Sequence, residues 1–134
     1  MKFYVATRFS NKAEVRRAAK LLKQRFDHDI TYNWADKPLL PVTEKLLRES
    51  AVEEINGVNY ADYVVAILPG GYGTHVEIGA AISQGKPVFL VVPNDGLMRD
   101  PHKNSVPFYL HPNVHCVRNL DMVPSAVEKV LNNE

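Results

Sequence analysis

Five short strand-like runs alternate along the chain with stretches of helical spacing. Lys2 to Ala6 is the first run; after it Ser10 stands as an N-cap, and Val15, Ala18, Ala19, Leu22 and Phe26 recur every three or four residues. That pattern predicts a strand followed by a helix. Asp29 to Trp34 mixes β-branched and aromatic residues and stops at the Asp36-Lys37-Pro38 turn, as a second strand does. Thr43 then caps a second helix whose Leu47, Ala51, Ile55 and Val58 form one stripe. Tyr63 to Leu68 is apolar without alternation, the signature of a strand covered on both faces. Pro69-Gly70-Gly71-Tyr72-Gly73 breaks the chain, and Thr74 opens a helix of small residues (Gly79, Ala80, Ala81) that ends near Gly85. Pro87 to Val92 is the fourth run. Four prolines and no periodicity mark 93–112 as a long loop. Val114 to Val117 and a helix with Ala126, Val127, Val130 and Leu131 on one side close the pattern.

Such alternation predicts an α/β fold: a flavodoxin-like, doubly wound, five-stranded parallel sheet of order 2-1-3-4-5, which keeps every crossover right-handed. Ligands of such sheets sit beyond the carboxyl ends of the strands, where the order reverses. The loops Thr7 to Asn11 and Pro69 to Thr74 are therefore the expected site.

At 134 residues and 46% hydrophobic composition, residues 1–134 fit a single domain that buries its own core. Sixteen basic residues against fifteen acidic ones leave a charge of +1, which speaks against a polymeric nucleic acid as partner. Cys116, in an apolar run, reads as a strand residue and not as a reactive thiol. The first residues carry no signal-peptide pattern and no run reaches membrane-spanning length, so a cytoplasmic location without membrane contact is expected.

The richest segment is Leu68-Pro69-Gly70-Gly71-Tyr72-Gly73-Thr74-His75-Val76-Glu77. Its glycines let the backbone turn tightly beside a ligand, and the helix behind them offers free N–H groups. It matches neither the Walker loop nor the G-x-G-x-x-G spacing. Thr74-x-x-Glu77 reads equally as a capping box, in which Glu77 only reaches back to the Thr74 N–H. A second reading places Glu77 as an ionised carboxylate, favoured by the helix dipole, at the ligand site. Covalent glycosyl chemistry uses such a group.

Tyr4-Val5-Ala6, Ala61-Asp62-Tyr63-Val64-Val65, Gly73-Thr74-His75-Val76-Glu77-Ile78-Gly79-Ala80-Ala81 and Gly85-Lys86-Pro87-Val88 together resemble the nucleoside 2-deoxyribosyltransferase family over most of the chain. The resemblance implies that Glu77 attacks C1′ of the sugar, and that another base, or water in the related deoxynucleotide N-hydrolases, resolves the glycosyl-enzyme. The glycine loop is also similar to the P-G-G-x-G-T-x-x-E signature of cytokinin-activating phosphoribohydrolases, which release a base from a nucleoside monophosphate. A nucleotide-binding module without turnover is the third alternative.

The family carries an Asp about two turns before the Ala-Asp pair of the central strand, and the matching residue here is Glu54. Glu54 also lies on the apolar stripe of its helix, where a carboxylate has a raised pKa and can protonate a departing base; a solvated residue at the stripe edge is the alternative. Glu53 points elsewhere. The transferases often place an acidic residue ahead of the nucleophile, where this chain has glycines and Tyr72, which favours hydrolysis over base exchange. Tyr4 matches a family tyrosine near the nucleophile, and is counted with Glu77 and Glu54 as catalytic. Thr7, Arg8, Gly70, Gly71, Gly73 and Thr74 form the expected substrate-binding set, with Arg8 suited to a sugar hydroxyl, to a 5′-phosphate, or to no more than a surface position. Trp34 fits either base stacking or packing. Histidines 75, 102, 111 and 115 lack ligand spacing, so neither metal nor cofactor is expected. The resemblance implies a homo-oligomer whose subunits complete each other's pockets around a small nucleoside or nucleotide, and loop 94–112, with Phe108, Tyr109 and Leu110, would cover the pocket or meet a neighbouring subunit.

Overall fold

Five parallel strands form one sheet in the order β2-β1-β3-β4-β5 in the computed structural model, which describes residues 1–94 and 106–132. They are β1 Lys2–Ala6, β2 Asp29–Ile30, β3 Tyr63–Ile67, β4 Val88–Val91 and β5 Val114–Val117. Helices α1 Lys12–Phe26, α2 Glu44–Tyr60, α3 Tyr72–Ser83 and α4 Val123–Leu131 connect or follow them. The expected flavodoxin-like topology is the one observed.

Strand alternation divides the core in two. Phe3, Val5, Tyr63, Val65, Phe89 and Val91 point to the side where Val15, Ala18 and Leu22 of α1 and Val123 and Val127 of α4 pack. Tyr4, Ala6, Val64, Ala66, Val88 and Leu90 point to the opposite side, against Val58 of α2 and Ile78 and Ala81 of α3. Because β1 and β3 are in register, with Tyr4 opposite Val64, residues at even positions of β1 lie under α2 and α3. The Tyr4 side chain is thereby aimed at α2 and α3, the helices before and after β3.

Several boundaries differ from the sequence pattern. The second strand lasts only two residues, because Thr31 turns its hydroxyl to the Gly57 carbonyl at 2.6 Å and the chain leaves the sheet for a 3-10 turn at Trp34–Asp36. Ser10 caps nothing: it lies inside a 3-10 turn, Phe9–Asn11, that runs into α1 at Lys12. Thr43 does cap α2, its hydroxyl accepting from the Leu46 N–H at 3.1 Å. The stripe of α2 is covered only in its second half, since Val58 is buried while Leu47 is 59% exposed. Cys116 is a strand residue as expected, yet it is exposed on the edge strand β5. The long loop holds a 3-10 turn at Pro107–Leu110; its residues 95–105, with His102, lie outside the described residues. Among the described residues no helix is long and apolar enough to cross a membrane.

Candidate active site

The glycine turn is closed by a threonine. Helix α3 begins at Tyr72 with Gly71 as its N-cap, two residues earlier than the sequence suggests, so Thr74 sits at N3. Its hydroxyl accepts from the Gly71 N–H at 3.1 Å, satisfying a donor at the N-terminus of the helix. A β-carbon at Gly70 would meet Thr74 Cγ2 at 2.6 Å, so this contact needs a glycine there. Glu77 therefore takes no part in capping. It lies one turn deeper, 5% exposed, on the face of α3 that looks back at the sheet.

Glu77 Oε2 accepts a hydrogen bond of 2.8 Å from the Tyr4 hydroxyl. Glu54, from α2, turns its carboxyl group toward that of Glu77, so the two acids face each other. Gly57 brings α2 this close: a β-carbon there would stand 2.8 Å from Tyr4 Cδ1 and 3.1 Å from Tyr32 Cβ. Glu54, three residues earlier and on the same side of the helix, is thus carried to Glu77. Glu53 is exposed and leans on Tyr32 instead.

Two carboxyl groups in so little water cannot both stay ionised. Burial, and after it the neighbouring Glu54, push the Glu77 pKa up to about 8 against the lowering effect of the Tyr4 hydrogen bond. Burial also raises Glu54, and the hydrogen bond with Glu77 opposes that rise. Burial and the Glu77 charge push the Tyr4 phenol far above its usual range, which keeps it a proton-bearing donor. The sequence reading of an ionised, dipole-stabilised carboxylate meets an opposing effect here, since burial favours the protonated form of Glu77.

A cavity of about 230 Å³ opens above this pair, lined by Thr7, Arg8 and Phe9 after β1, Trp34, Glu54, and Gly71, Gly73, Thr74 and Glu77. It lies at the carboxyl ends of β1 and β3, at the reversal of strand order. Of the residues expected to bind substrate, Gly70 does not line it and serves the turn. Tyr4 stands behind Glu77 and does not line the cavity. Thr7 lines the cavity, but its hydroxyl is engaged on both sides, donating to the Ile67 carbonyl at 2.9 Å and accepting from Asn11 Nδ2 at 3.0 Å.

Three contributors were missed in the sequence. Phe9 stacks on Trp34, with ring centroids 6.1 Å apart, and its position in the first switch-point loop was the available signal. Gly57 left the usual trace of a close approach, a lone glycine inside a helical pattern. His75 holds the Gly71 carbonyl with Nδ1 at 2.8 Å and the Tyr109 hydroxyl with Nε2 at 2.6 Å, a long-range link with no local signature. Trp34 packs and lines the cavity at once, its Nε1 donating to the Val5 carbonyl at 3.0 Å. Among the described residues no three His, Cys, Asp or Glu side chains gather as a metal site.

Sequence comparison finds no matching family model and no matching curated protein. Solved structures do match. A CMP N-glycosidase from Clostridium botulinum superposes with a TM-score of 0.65 at 15% identity, covering 97% of this chain and 99% of that one. A 2-deoxyribosyltransferase from Bacillus psychrosaccharolyticus gives 0.65 at 20% identity over 92% and 90% of the two chains. A conserved protein from Enterococcus faecalis V583 gives 0.60 at 18% identity over 97% and 98%. This chain therefore has the fold on which a 2-deoxyribosyltransferase and a CMP N-glycosidase are built, over nearly its whole length.

Proposed function

We infer that the protein cleaves the N-glycosidic bond of a (deoxy)nucleoside or its monophosphate through a covalent glycosyl-Glu77 intermediate. The observation that carries this reading is the Tyr4–Glu77–Glu54 cluster on the floor of a cavity bounded by the glycine turn. Glu77, as carboxylate, attacks C1′ of the sugar. The C1′–N bond breaks, its electron pair stays on the base nitrogen, and Glu54 supplies the proton that makes the base a neutral leaving group. In the second half, water gives its oxygen to C1′ and its proton to Glu54, and Glu77 departs as carboxylate. A second base in place of water completes a transfer. Two displacements at one carbon return the sugar with its configuration retained. Tyr4 fixes the Glu77 oxygen and is the positioning residue of the pair. The glycines admit the sugar because no β-carbon stands in its way.

Arg8 favours a substrate with a 5′-phosphate, since it lines the same cavity as the Gly71–Thr74 turn, and one structural neighbour is a CMP N-glycosidase. The proposal includes a homo-oligomer of this single domain, whose subunits close each other's pockets around a small-molecule substrate.

Mass spectrometry after incubation with deoxynucleosides and ribo- and deoxynucleoside 5′-monophosphates, with and without a second free base, tests the proposal. Release or exchange of base is expected from wild type, with an added glycosyl mass on the protein at early times. Full turnover by Glu77→Ala would overturn the nucleophile assignment. Tight nucleotide binding with no product after long incubation would overturn the enzymatic reading.

A further inference from the structure

The glycine turn is pinned on both sides of Gly71. The Gly71 N–H donates to Thr74 Oγ1 at 3.1 Å. Its carbonyl accepts twice from His75, from the backbone N–H at 3.3 Å and from the ring Nδ1 at 2.8 Å. A β-carbon placed at Gly71 would meet nothing within 4 Å, so packing does not hold this residue and a glycine is free to rotate there. Hydrogen bonds hold it instead. Because a peptide group is planar, fixing the Gly71 carbonyl also fixes the direction of the Tyr72 N–H. Gly71 and Gly73, which flank Tyr72, line the cavity above Glu77 together with Arg8.

The ring bond also settles which imidazole nitrogen carries the hydrogen. A carbonyl only accepts, so Nδ1 is the donor, and in a neutral imidazole Nε2 is then an acceptor. Nε2 meets the Tyr109 hydroxyl at 2.6 Å. Tyr109 is 7% exposed and packed into the core under α2 and α3, with its backbone N–H on the Val106 carbonyl at 3.1 Å. Burial raises the pKa of its phenol, so the hydroxyl keeps the hydrogen that it gives to Nε2. Hydrogen bonds therefore run one way, from Tyr109 to His75 to Gly71, and the phenol holds the imidazole in the tautomer that the turn requires. With both ring nitrogens engaged, His75 has none left for Glu77 or Glu54, so its task is to shape the turn and not to move a proton. We propose that His75, locked by Tyr109, is the positioning residue of the glycine turn, and that it sets the turn for the phosphate-bearing end of a nucleoside 5′-monophosphate. The proposal rests on the glycosidic reading above and on its preference for a phosphate.

Nitrogen-15 NMR of the imidazoles at about pH 8, above the ordinary range of histidine titration, reads the tautomer. The signal that His75→Ala removes is expected to show hydrogen on Nδ1 in the wild type and a mixture of tautomers in Tyr109→Phe. Hydrogen on Nε2 in the wild type overturns the proposal. Calorimetric binding and steady-state kinetics follow, with cytidine and adenosine 5′-monophosphates in ribo and deoxy forms and with the parent nucleosides. His75→Ala is expected to raise Kd and KM for the monophosphates about three- to tenfold, the worth of one hydrogen bond, with kcat and the nucleosides within about twofold. His75→Asn, whose amide nitrogen stands where Nδ1 was, should restore monophosphate binding; His75→Gln, whose amide reaches past that point, should not. Equal losses in all three variants, or equal losses for nucleosides and monophosphates, overturn the proposal in favour of a purely structural role. Wild-type cleavage with a monophosphate KM that His75→Ala leaves unchanged overturns the positioning role and leaves the glycosidic reading intact. The expected pattern of monophosphate binding, in a protein that releases no base, upholds the positioning role and overturns the glycosidic reading. A wild type that binds none of the four monophosphates overturns the proposal.

Discussion

The Tyr4 hydroxyl donates 2.8 Å to Glu77 Oε2 across 73 positions of sequence, joining a strand buried at the sheet centre to the second turn of α3. Tyr4→Phe keeps the ring and removes the donor. The hydrogen bond holds the Glu77 pKa down, so its loss raises that pKa further. We expect kcat/KM to fall about tenfold or more, as loss of a hydrogen bond to a charged group does. The alkaline limb of the pH–rate profile should move upward at the same time. A purely structural role for Tyr4 would leave that limb in place.

With one proton shared by Glu54 and Glu77, only the singly protonated pair is competent, and kcat/KM should be bell-shaped with its alkaline limb near pH 8. Glu54→Gln removes the neighbouring acid that raises Glu77. The nucleophile then ionises at lower pH, and no acid remains to be lost at high pH. The expected profile rises earlier, reaches a plateau without an alkaline limb, and stands about 10²–10⁴-fold lower. An unchanged bell would remove Glu54 from the mechanism.

Stability carries the same signature. Glu77 has a raised pKa in the folded chain, so the native state holds its proton over a range where the unfolded chain has released it. Its contribution is complete below the unfolded pKa, near 4.5, and is lost as pH rises toward 8. Glu77→Gln, which mimics the neutral acid, should therefore match wild type at pH 4 and exceed it at pH 8 by on the order of a few kcal/mol. Thermal melts at the two pH values check this, with a Tm gain of roughly 5 °C or more at the higher one.

Glycines separate into two kinds. Gly57→Ala forces a β-carbon into the Tyr4 ring and is expected to cost about 1–3 kcal/mol and to lower activity by displacing Tyr4 from Glu77. Gly73→Ala meets no atom within 4 Å and lies within α3, so it should raise stability by roughly 0.5–1 kcal/mol. Gly73 nonetheless lines the cavity, and its alanine variant should lose activity if the missing side chain leaves room for the sugar. Denaturant melts and turnover on the same samples separate the two effects.

Much of this architecture could be read from periodicity. The apolar runs at Tyr63 to Leu68 and Pro87 to Val92 fixed the centre of the sheet because strands covered on both faces leave little choice of residue. Side chains that bond to the backbone decided what the pattern left open or misplaced: Thr31 ended β2 early, and Thr74 took the cap that one of two readings gave to Glu77. For the candidate site, spacing and resemblance nominated Glu77 and Glu54, and the fold brings the two side chains near each other. Their protonation was not, since it depends on the depth of burial and on Gly57 drawing α2 inward, neither of which local sequence records. The uncovered half of α2 was equally hidden, because an apolar stripe says that something will cover it and not what.

The proton between Glu54 and Glu77 has a further consequence for the proposed reaction. A base leaving a sugar needs a proton at the moment the bond breaks, and burial, by favouring the protonated form of both acids, would keep one at hand. The enzyme would then meet its substrate preloaded, and the water consumed in the second half-reaction would return the borrowed proton. Each turnover would leave the pair as it began, its proton inventory closed without drawing on the bulk.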